Sequence, residues 1–268
     1  MNSDQVFHGL HASGCFVMPN PWDAGSARMF ERLGFQAVAT TSSGFAWTRG
    51  QDDGAVGIDG VLDHLRDIVS AVRIPVNADF EGGYATEPDD VAANVTRAVA
   101  TGVAGISIED ATGNADAPLF DFDLAVDRVR AARAAIDRSG TGVFFTARTE
   151  GFIAGRPDLE ESIRRLVAFA EAGADCLYAP GITTPDDISA VVRAVAPKPV
   201  NVLVGGAFTT VPALARLGVR RISTGGALAR AAFSGALDAA REIADMGTFT
   251  RLGEAYSFAE LNGAGRAR

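Results

Sequence analysis

Apolar and polar positions along the chain fall into two alternating periods. Short apolar or β-branched runs recur at Phe16–Pro19, Ala37–Thr41, Pro75–Phe80, Gly105–Glu109, Val143–Thr146, Cys176–Ala179, Pro199–Val204 and Arg220–Thr224. Between them the apolar residues return at three- and four-residue steps, over Ala24–Leu33, Val61–Val72, Asp89–Ala100, Leu124–Ile136, Leu159–Ala172, Asp186–Ala196, Val211–Leu217 and Leu228–Ile243. The runs predict strands and the stepped segments predict helices. Thr184-Pro185-Asp186-Asp187 supplies an N-cap hydroxyl, a proline at the first helical position and acids in the first turn. Gly34, Gly102, Gly173 and Gly218 each close an apolar helical face just before a strand.

Strand–helix alternation repeated about eight times over roughly 250 residues predicts a (β/α)8 TIM barrel. The near-continuous apolar strands suit a parallel sheet covered on both faces, and a doubly wound open sheet is the alternative. The barrel is expected to span residues 1–246, with a tail over 247–268 that adds a short helix around Glu254–Leu261. With 268 residues and 47% hydrophobic composition the chain has ample material for one core. A net charge of −9 argues against non-specific binding to nucleic acid or to acidic membranes. No window reaches the roughly 18 apolar residues of a membrane span. Cys15 and Cys176 each lie beside or within a strand-like run and read as free thiols in a reducing compartment. A cytoplasmic protein without a signal peptide is the expectation.

Candidate chemistry gathers where the strands end. In Val76-Asn77-Ala78-Asp79-Phe80-Glu81 the strand period turns Asn77, Asp79 and Glu81 to one face, just before the Gly82-Gly83 turn. Oxygen-rich side chains at a strand end suit a hard cation such as Mg²⁺ better than they suit a core. Glu109 and Asp110 end the next strand. The other strand ends carry Asn20, Trp22 and Asp23; Thr41, Ser42, Ser43 and Gly44, then Asp53 in the following loop; Arg148 and Glu150; Tyr178; Asn201; and Thr224. This is a ring of acids around one arginine. His8, His11 and His64 fall outside it. A cation held by acids, an arginine for a far carboxylate and backbone amides near Ser42–Gly44 for a developing oxyanion would together stabilise an enolate beside a carboxylate.

Five segments in order carry a family resemblance. They are Pro19-Asn20-Pro21-Trp22-Asp23-Ala24-Gly25-Ser26-Ala27-Arg28, Thr40-Thr41-Ser42-Ser43-Gly44, Ala78-Asp79 with Gly83-Tyr84, Ile108-Glu109-Asp110, and Ala147-Arg148-Thr149-Glu150-Gly151-Phe152. Together they resemble the isocitrate lyase/phosphoenolpyruvate mutase superfamily from about Phe16 to about Ala244. The resemblance implies a (β/α)8 barrel, often with its eighth helix exchanged between subunits. It implies bound Mg²⁺ and cleavage or rearrangement of a C–C or P–C bond through an enolpyruvate-like intermediate. Asp53 resembles the family's loop acid, Glu109 its acid of the fourth strand and Arg148 its substrate-binding arginine. Ser42, Ser43 and Gly44 resemble the turn whose amides hold the pyruvyl end.

Two departures shape the expectation. The family's third strand reads Asp-Ala-Asp, whereas here it reads Asn77-Ala78-Asp79. Either Asn77 stands in for a metal-site acid or the pair has moved to Asp79 and Glu81. The loop after the fourth strand, Ala111-Thr112-Gly113-Asn114-Ala115-Asp116-Ala117-Pro118, has neither the Cys nor the Lys of the family's gating loops. The expected metal set is therefore Asp79, Glu109, Asp53, Glu81 and Asn77. The expected catalytic set is Arg148, Ser42, Ser43 and Gly44, and Trp22, Ser43, Gly44, Arg148 and Asn201 are expected against substrate. The substrate is expected to be a small 2-oxo or 2-hydroxy carboxylate or a phosphonate, cleaved in the manner of an oxaloacetate decarboxylase or an acylpyruvate-type lyase. The assembly is expected to be a homo-oligomer, a tetramer by resemblance. Two other readings stand beside this one. One is a phosphate-binding barrel using Gly205-Gly206 and Gly225-Gly226, and the other is a metabolite-binding homologue without turnover.

Overall fold

The computed structural model describes residues 2–264. Its eight strands are β1 (Phe16–Met18), β2 (Val38–Ala39), β3 (Val76–Asp79), β4 (Gly105–Glu109), β5 (Phe144–Arg148), β6 (Cys176–Tyr178), β7 (Val200–Leu203) and β8 (Arg221–Ser223). All pair in parallel, in the order β1-β8-β7-β6-β5-β4-β3-β2. The seam between β1 and β2 is bridged where the Ala39 amide donates to the Pro19 carbonyl at 3.1 Å. Asn20 Nδ2 reinforces the seam by donating to the Thr40 carbonyl at 2.8 Å. The barrel is thus all but closed, as the strand–helix rhythm predicts.

The helices are α1 (Ser3–Ala12), α2 (Ala24–Arg32), α3 (Ser42–Thr48), α4 (Ile58–Ala71), α5 (Pro88–Val99), α6 (Phe122–Arg138), α7 (Leu159–Glu171), α8 (Pro185–Val195), α9 (Val211–Arg216), α10 (Ala227–Met246) and α11 (Phe258–Ala264). Residues 265–268 of the expected tail lie outside the described residues. Alternation along the strands divides the core. In β4, Ile106 and Ile108 join the large apolar layer between sheet and helices, while the Ser107 hydroxyl turns back to the Ala78 carbonyl at 3.1 Å. Asp79, Glu109 and Arg148 are the last residues of β3, β4 and β5. The parallel register sets Glu109 directly against Arg148 and brings three charged side chains to one rim.

Two helices correct the expectation. Residues 3–12, where the apolar pattern predicts no helix, form α1. Its signal is an Asn2–Gln5 capping box, in which each side chain accepts from the other residue's amide, and the helix buries Phe7 and His11. It plugs the amino end of the barrel, where Phe7 meets Phe16 and Phe144 edge to face. Residues 42–48, read as loop, form α3, capped by Thr41 Oγ1 accepting from the Gly44 amide at 3.3 Å.

The last long helix is bound loosely to its own barrel. α10 buries only Ala229 and Glu242 among its 20 residues, and Leu237 and Met246 stand exposed. No helix among the described residues is long and apolar enough to cross a membrane.

Candidate active site

Arg148 is the centre of the carboxyl-end mouth. Its Nη1 lies 3.4 Å from Asp79 Oδ1 and 3.1 Å from Glu109 Oε2, and its Nε donates to Glu150 Oε1. The guanidinium carbon lies 5.1 Å from the Tyr178 ring centroid. Burial opposes its charge, but Glu109, Glu150, Tyr178 and Asp79 outweigh that and hold its pKa well above the usual value. Asp79 Oδ2 also accepts from the Ser42 amide at 3.1 Å, which ties the end of β3 to the start of α3.

Above this cluster lies a cavity of about 570 Å³. Ser42, Asp53, Glu81, Tyr84, Glu109, Arg148 and Glu150 form its polar wall, and Ala85, Ala111, Phe120 and Ile153 contribute apolar surface. Five carboxyl groups, those of Asp53, Asp79, Glu81, Glu109 and Glu150, therefore surround one guanidinium. Burial raises Glu109 to about 8, with Glu150, Asp79 and Glu81 adding repulsion against the pull of Arg148. Burial likewise raises Glu81 to about 7, with Asp79 and Asp53 adding to the rise and the Tyr84 hydroxyl opposing it. Asp53 and Glu150 are raised by burial as well, the first opposed by a Ser42 hydrogen bond and the second by Arg148. The mouth holds more carboxyl groups than its own cation can keep ionised.

Asn77 lies one strand repeat deeper than Asp79. It is 2% exposed, its Nδ2 donates to the Ala78 carbonyl at 3.0 Å, and its Oδ1 has no partner. It lines a void of about 30 Å³ inside the barrel, together with Asp79, Arg148 and Asn201. Glu81 opens instead onto the large cavity beside Asp53 and Glu109. Asp79 thus stands between the two, lining the void with Asn77 and reaching Arg148, which also lines the large cavity of Glu81.

The other expected residues divide. Ser42 and Asp53 line the cavity. Gly44 is buried as a packing glycine. A Cβ there would stand 2.6 Å from Thr41 Cγ2 and 3.1 Å from Trp22 Cβ, so close approach requires a glycine at this place. The Ser43 hydroxyl pairs with Thr41 Oγ1 at 3.1 Å. Trp22 packs edge to face on Phe30 and lines a separate groove with Phe45 and His64, so it is not brought to the cavity. Asn201 is held below the mouth, where it donates to Ser223 Oγ and accepts from Arg221 Nε. The Gly225 amide, half of one proposed phosphate cradle, is taken by Asn20 Oδ1 at 2.9 Å. Residues missed as wall members are Tyr84, Phe120 and Ile153. Tyr84 carried a readable signal, since it lies three residues after Glu81 across a Gly-Gly turn.

Among the described residues, no three His, Cys, Asp or Glu side chains converge tightly enough to hold an ion by themselves. Mg²⁺ does not require that, because it keeps several waters and takes one or two carboxylates directly. Hard oxygen donors whose ionisation is held back by burial and mutual repulsion fit such an ion.

Sequence and structure comparisons bear on the family and the fold. The family model described as phosphoenolpyruvate phosphomutase matches residues 7–244. An uncharacterised protein of Mycobacterium tuberculosis is 35% identical over 242 residues, covering 89% of each chain. An oxaloacetate decarboxylase of Bradyrhizobium is 28% identical over 224 residues, covering 80% of this chain and 74% of its own. Among solved structures, a Burkholderia cenocepacia J2315 protein with a provisional lyase/mutase name superposes with a TM-score of 0.95 at 47% identity, covering 97% of this chain and 95% of its own. Oxaloacetate acetylhydrolase in complex with its product oxalate gives 0.86 at 25% identity, covering 98% and 93%. Phosphonopyruvate hydrolase in complex with oxalate and Mg²⁺ gives 0.84 at 27% identity, covering 98% and 95%.

Proposed function

The chain belongs to the phosphoenolpyruvate phosphomutase family, within the isocitrate lyase/phosphoenolpyruvate mutase superfamily of enzymes acting on small carboxylates and phosphonates, and from that premise we propose that it is a Mg²⁺-dependent carbon–carbon lyase acting on a small 2-oxo carboxylate such as oxaloacetate. The observation that carries the reading is the surplus of carboxyl groups around Arg148, most of them half-buried and that of Glu150 fully buried. Asp79, Glu81, Glu109 and Asp53 would hold the ion. When bound, it would supply a Lewis acid next to the 2-oxo group and offset charge that develops there.

The remaining work falls to the chain's own groups. Arg148 is the one cation of the cavity wall among the described residues and is the group that would take a substrate carboxylate. Tyr84 keeps Glu81 in place through its hydroxyl. The apolar wall of Ala85, Ala111, Phe120 and Ile153 reduces water around the reacting centre. The loop after β4 is short and pinned on itself, with the Thr112 amide donating to the Pro118 carbonyl at 2.9 Å. It offers no thiol or ammonium as an acid, which favours decarboxylation or acyl cleavage over the isocitrate-type reaction.

The assembly is part of the proposal. The exposed apolar side chains of α10 suit a homo-oligomer in which this helix packs on a second copy, with a tetramer as the expected state. Incubation with oxaloacetate and Mg²⁺, followed by proton and carbon-13 NMR, tests the reaction. Pyruvate formed faster than in the enzyme-free control supports decarboxylation, and acetate with oxalate supports hydrolytic cleavage. Rates equal to the control for oxaloacetate and other 2-oxo acids, with oxalate still bound, would favour the metabolite-binding reading.

A further inference from the structure

In the turn that carries Glu81 and Tyr84, the Glu81 carbonyl accepts from the Glu109 amide at 3.0 Å, and the carbonyls that follow it are taken by side chains. Arg128 Nη2 donates to the Gly82 carbonyl, and its Nη1 donates to Ala85 and, at 2.7 Å, to Thr86. Asn94 Nδ2 donates to Gly83 at 3.0 Å and to Tyr84 at 3.3 Å. Five consecutive carbonyls are thus satisfied by two side chains, one from α6 and one from α5. Within the same segment Glu81 has φ +45° and Tyr84 φ +56°, values that non-glycine residues adopt only when their surroundings impose them. Arg128 is 1% exposed, and its guanidinium carbon lies 3.9 Å from the Phe120 ring centroid. It makes no ion pair among the described residues. A buried charge spent on backbone carbonyls is costly unless those bonds fix something.

We propose that Arg128, with Asn94, is a positioning residue that clamps the 82–86 turn and so holds Glu81 at the cation-binding face of the cavity. Arg128 itself stays behind that face, against Phe120 of the wall. The inference rests on the metal-site reading above and adds to it a residue that touches neither the cation nor the substrate. It also explains why a left-handed glutamate and a left-handed tyrosine occur within one turn. The guanidinium fork reaches carbonyls on both limbs of the turn, which a single ammonium would not do as well.

The test compares wild type, Arg128→Lys and Asn94→Ala in the full chain, with two readouts. Hydrogen–deuterium exchange of the peptide spanning 80–87 reports the clamp without any metal, and calorimetric titration of Mg²⁺ and oxalate reports its consequence. Faster exchange confined to that peptide, with affinity down by about 10- to 100-fold, is expected of Arg128→Lys, as for supporting groups around metal sites. A smaller change of the same kind is expected of Asn94→Ala, which also serves if Arg128→Lys does not fold. Unchanged exchange at 80–87 in a folded variant would overturn the clamp, as would wild-type affinity despite faster exchange. If wild type itself binds neither Mg²⁺ nor oxalate, the metal-site reading fails, while the exchange data still decide the clamp.

Discussion

Asp79 joins two parts of the mouth through one carboxylate: Oδ2 accepts from the Ser42 amide and Oδ1 faces Arg148. Asp79→Ala is therefore expected to cost Mg²⁺-dependent oxalate affinity by about 100-fold, at the upper end for metal-site groups. Arg148→Ala should keep Mg²⁺ binding and lose oxalate affinity, since it removes the anion-holding group while leaving the acids. Calorimetry of both variants with each ligand separates the two roles, and an Asp79→Ala protein with wild-type affinity would remove Asp79 from the site. A second residue, His11, sets a pH dependence remote from the mouth. It stacks on Phe144, its Nδ1–H donates to the Phe7 carbonyl at 2.8 Å, and Arg221 Nη1 stands 3.5 Å from Nε2. Burial first, then Arg221 and His8, lowers its pKa from 6.5 to about 3. Above pH 6.5 the ring is neutral in both states and costs nothing. As pH falls below 6.5 the unfolded chain takes up a proton that the folded chain refuses, so stability falls until pH nears 3. The loss is on the order of 3 kcal/mol by pH 4. Urea titrations from pH 7 to 4 should show a shallower fall for His11→Gln than for wild type, and parallel slopes would refute the assignment.

At the scale of elements, much of the site was legible because strand periodicity and parallel register together determine which side chains share a rim. Asp79, Glu109 and Arg148 follow from that rule alone. Trp22 and Gly44 do not, because the residues after β1 and β2 turn into helix starts and pack on one another, as the 3.1 Å approach at Gly44 shows. The choice between Asn77 and Glu81 was open in the sequence, since alternation puts both on one face. The structure sets Asn77 in the small void with Asp79, and Glu81, with a left-handed backbone, on the large cavity. α1 was missed because its apolar positions are few and only Phe7 and His11 turn inward. Its docking yields a direct test. A Cβ on Gly105 would stand 2.4 Å from Phe7 Cε1 and 2.6 Å from Asn77 Oδ1, so Gly105→Ala must displace the plug. It should destabilise the fold by about 1–3 kcal/mol. Denaturation midpoints measure this, and a midpoint equal to wild type would mean that the plug yields freely.

For the whole molecule, the barrel accounts for every strand among the described residues, but it does not cover α10, whose exposed Leu237 and Met246 find no cover among them. Sedimentation velocity at micromolar concentration is expected to show an oligomer. A monomer at that concentration would mean that the helix stays uncovered in solution. The acidic mouth is the other feature that a single chain leaves unbalanced, with Asp53, Asp79, Glu81, Glu109 and Glu150 set against Arg148 alone. Titration of oxalate into the wild-type protein, with and without Mg²⁺, tests that claim most directly. The charge surplus predicts saturable binding in the presence of Mg²⁺ and little or none in its absence. Equal affinity in both conditions, or no binding in either, would contradict it.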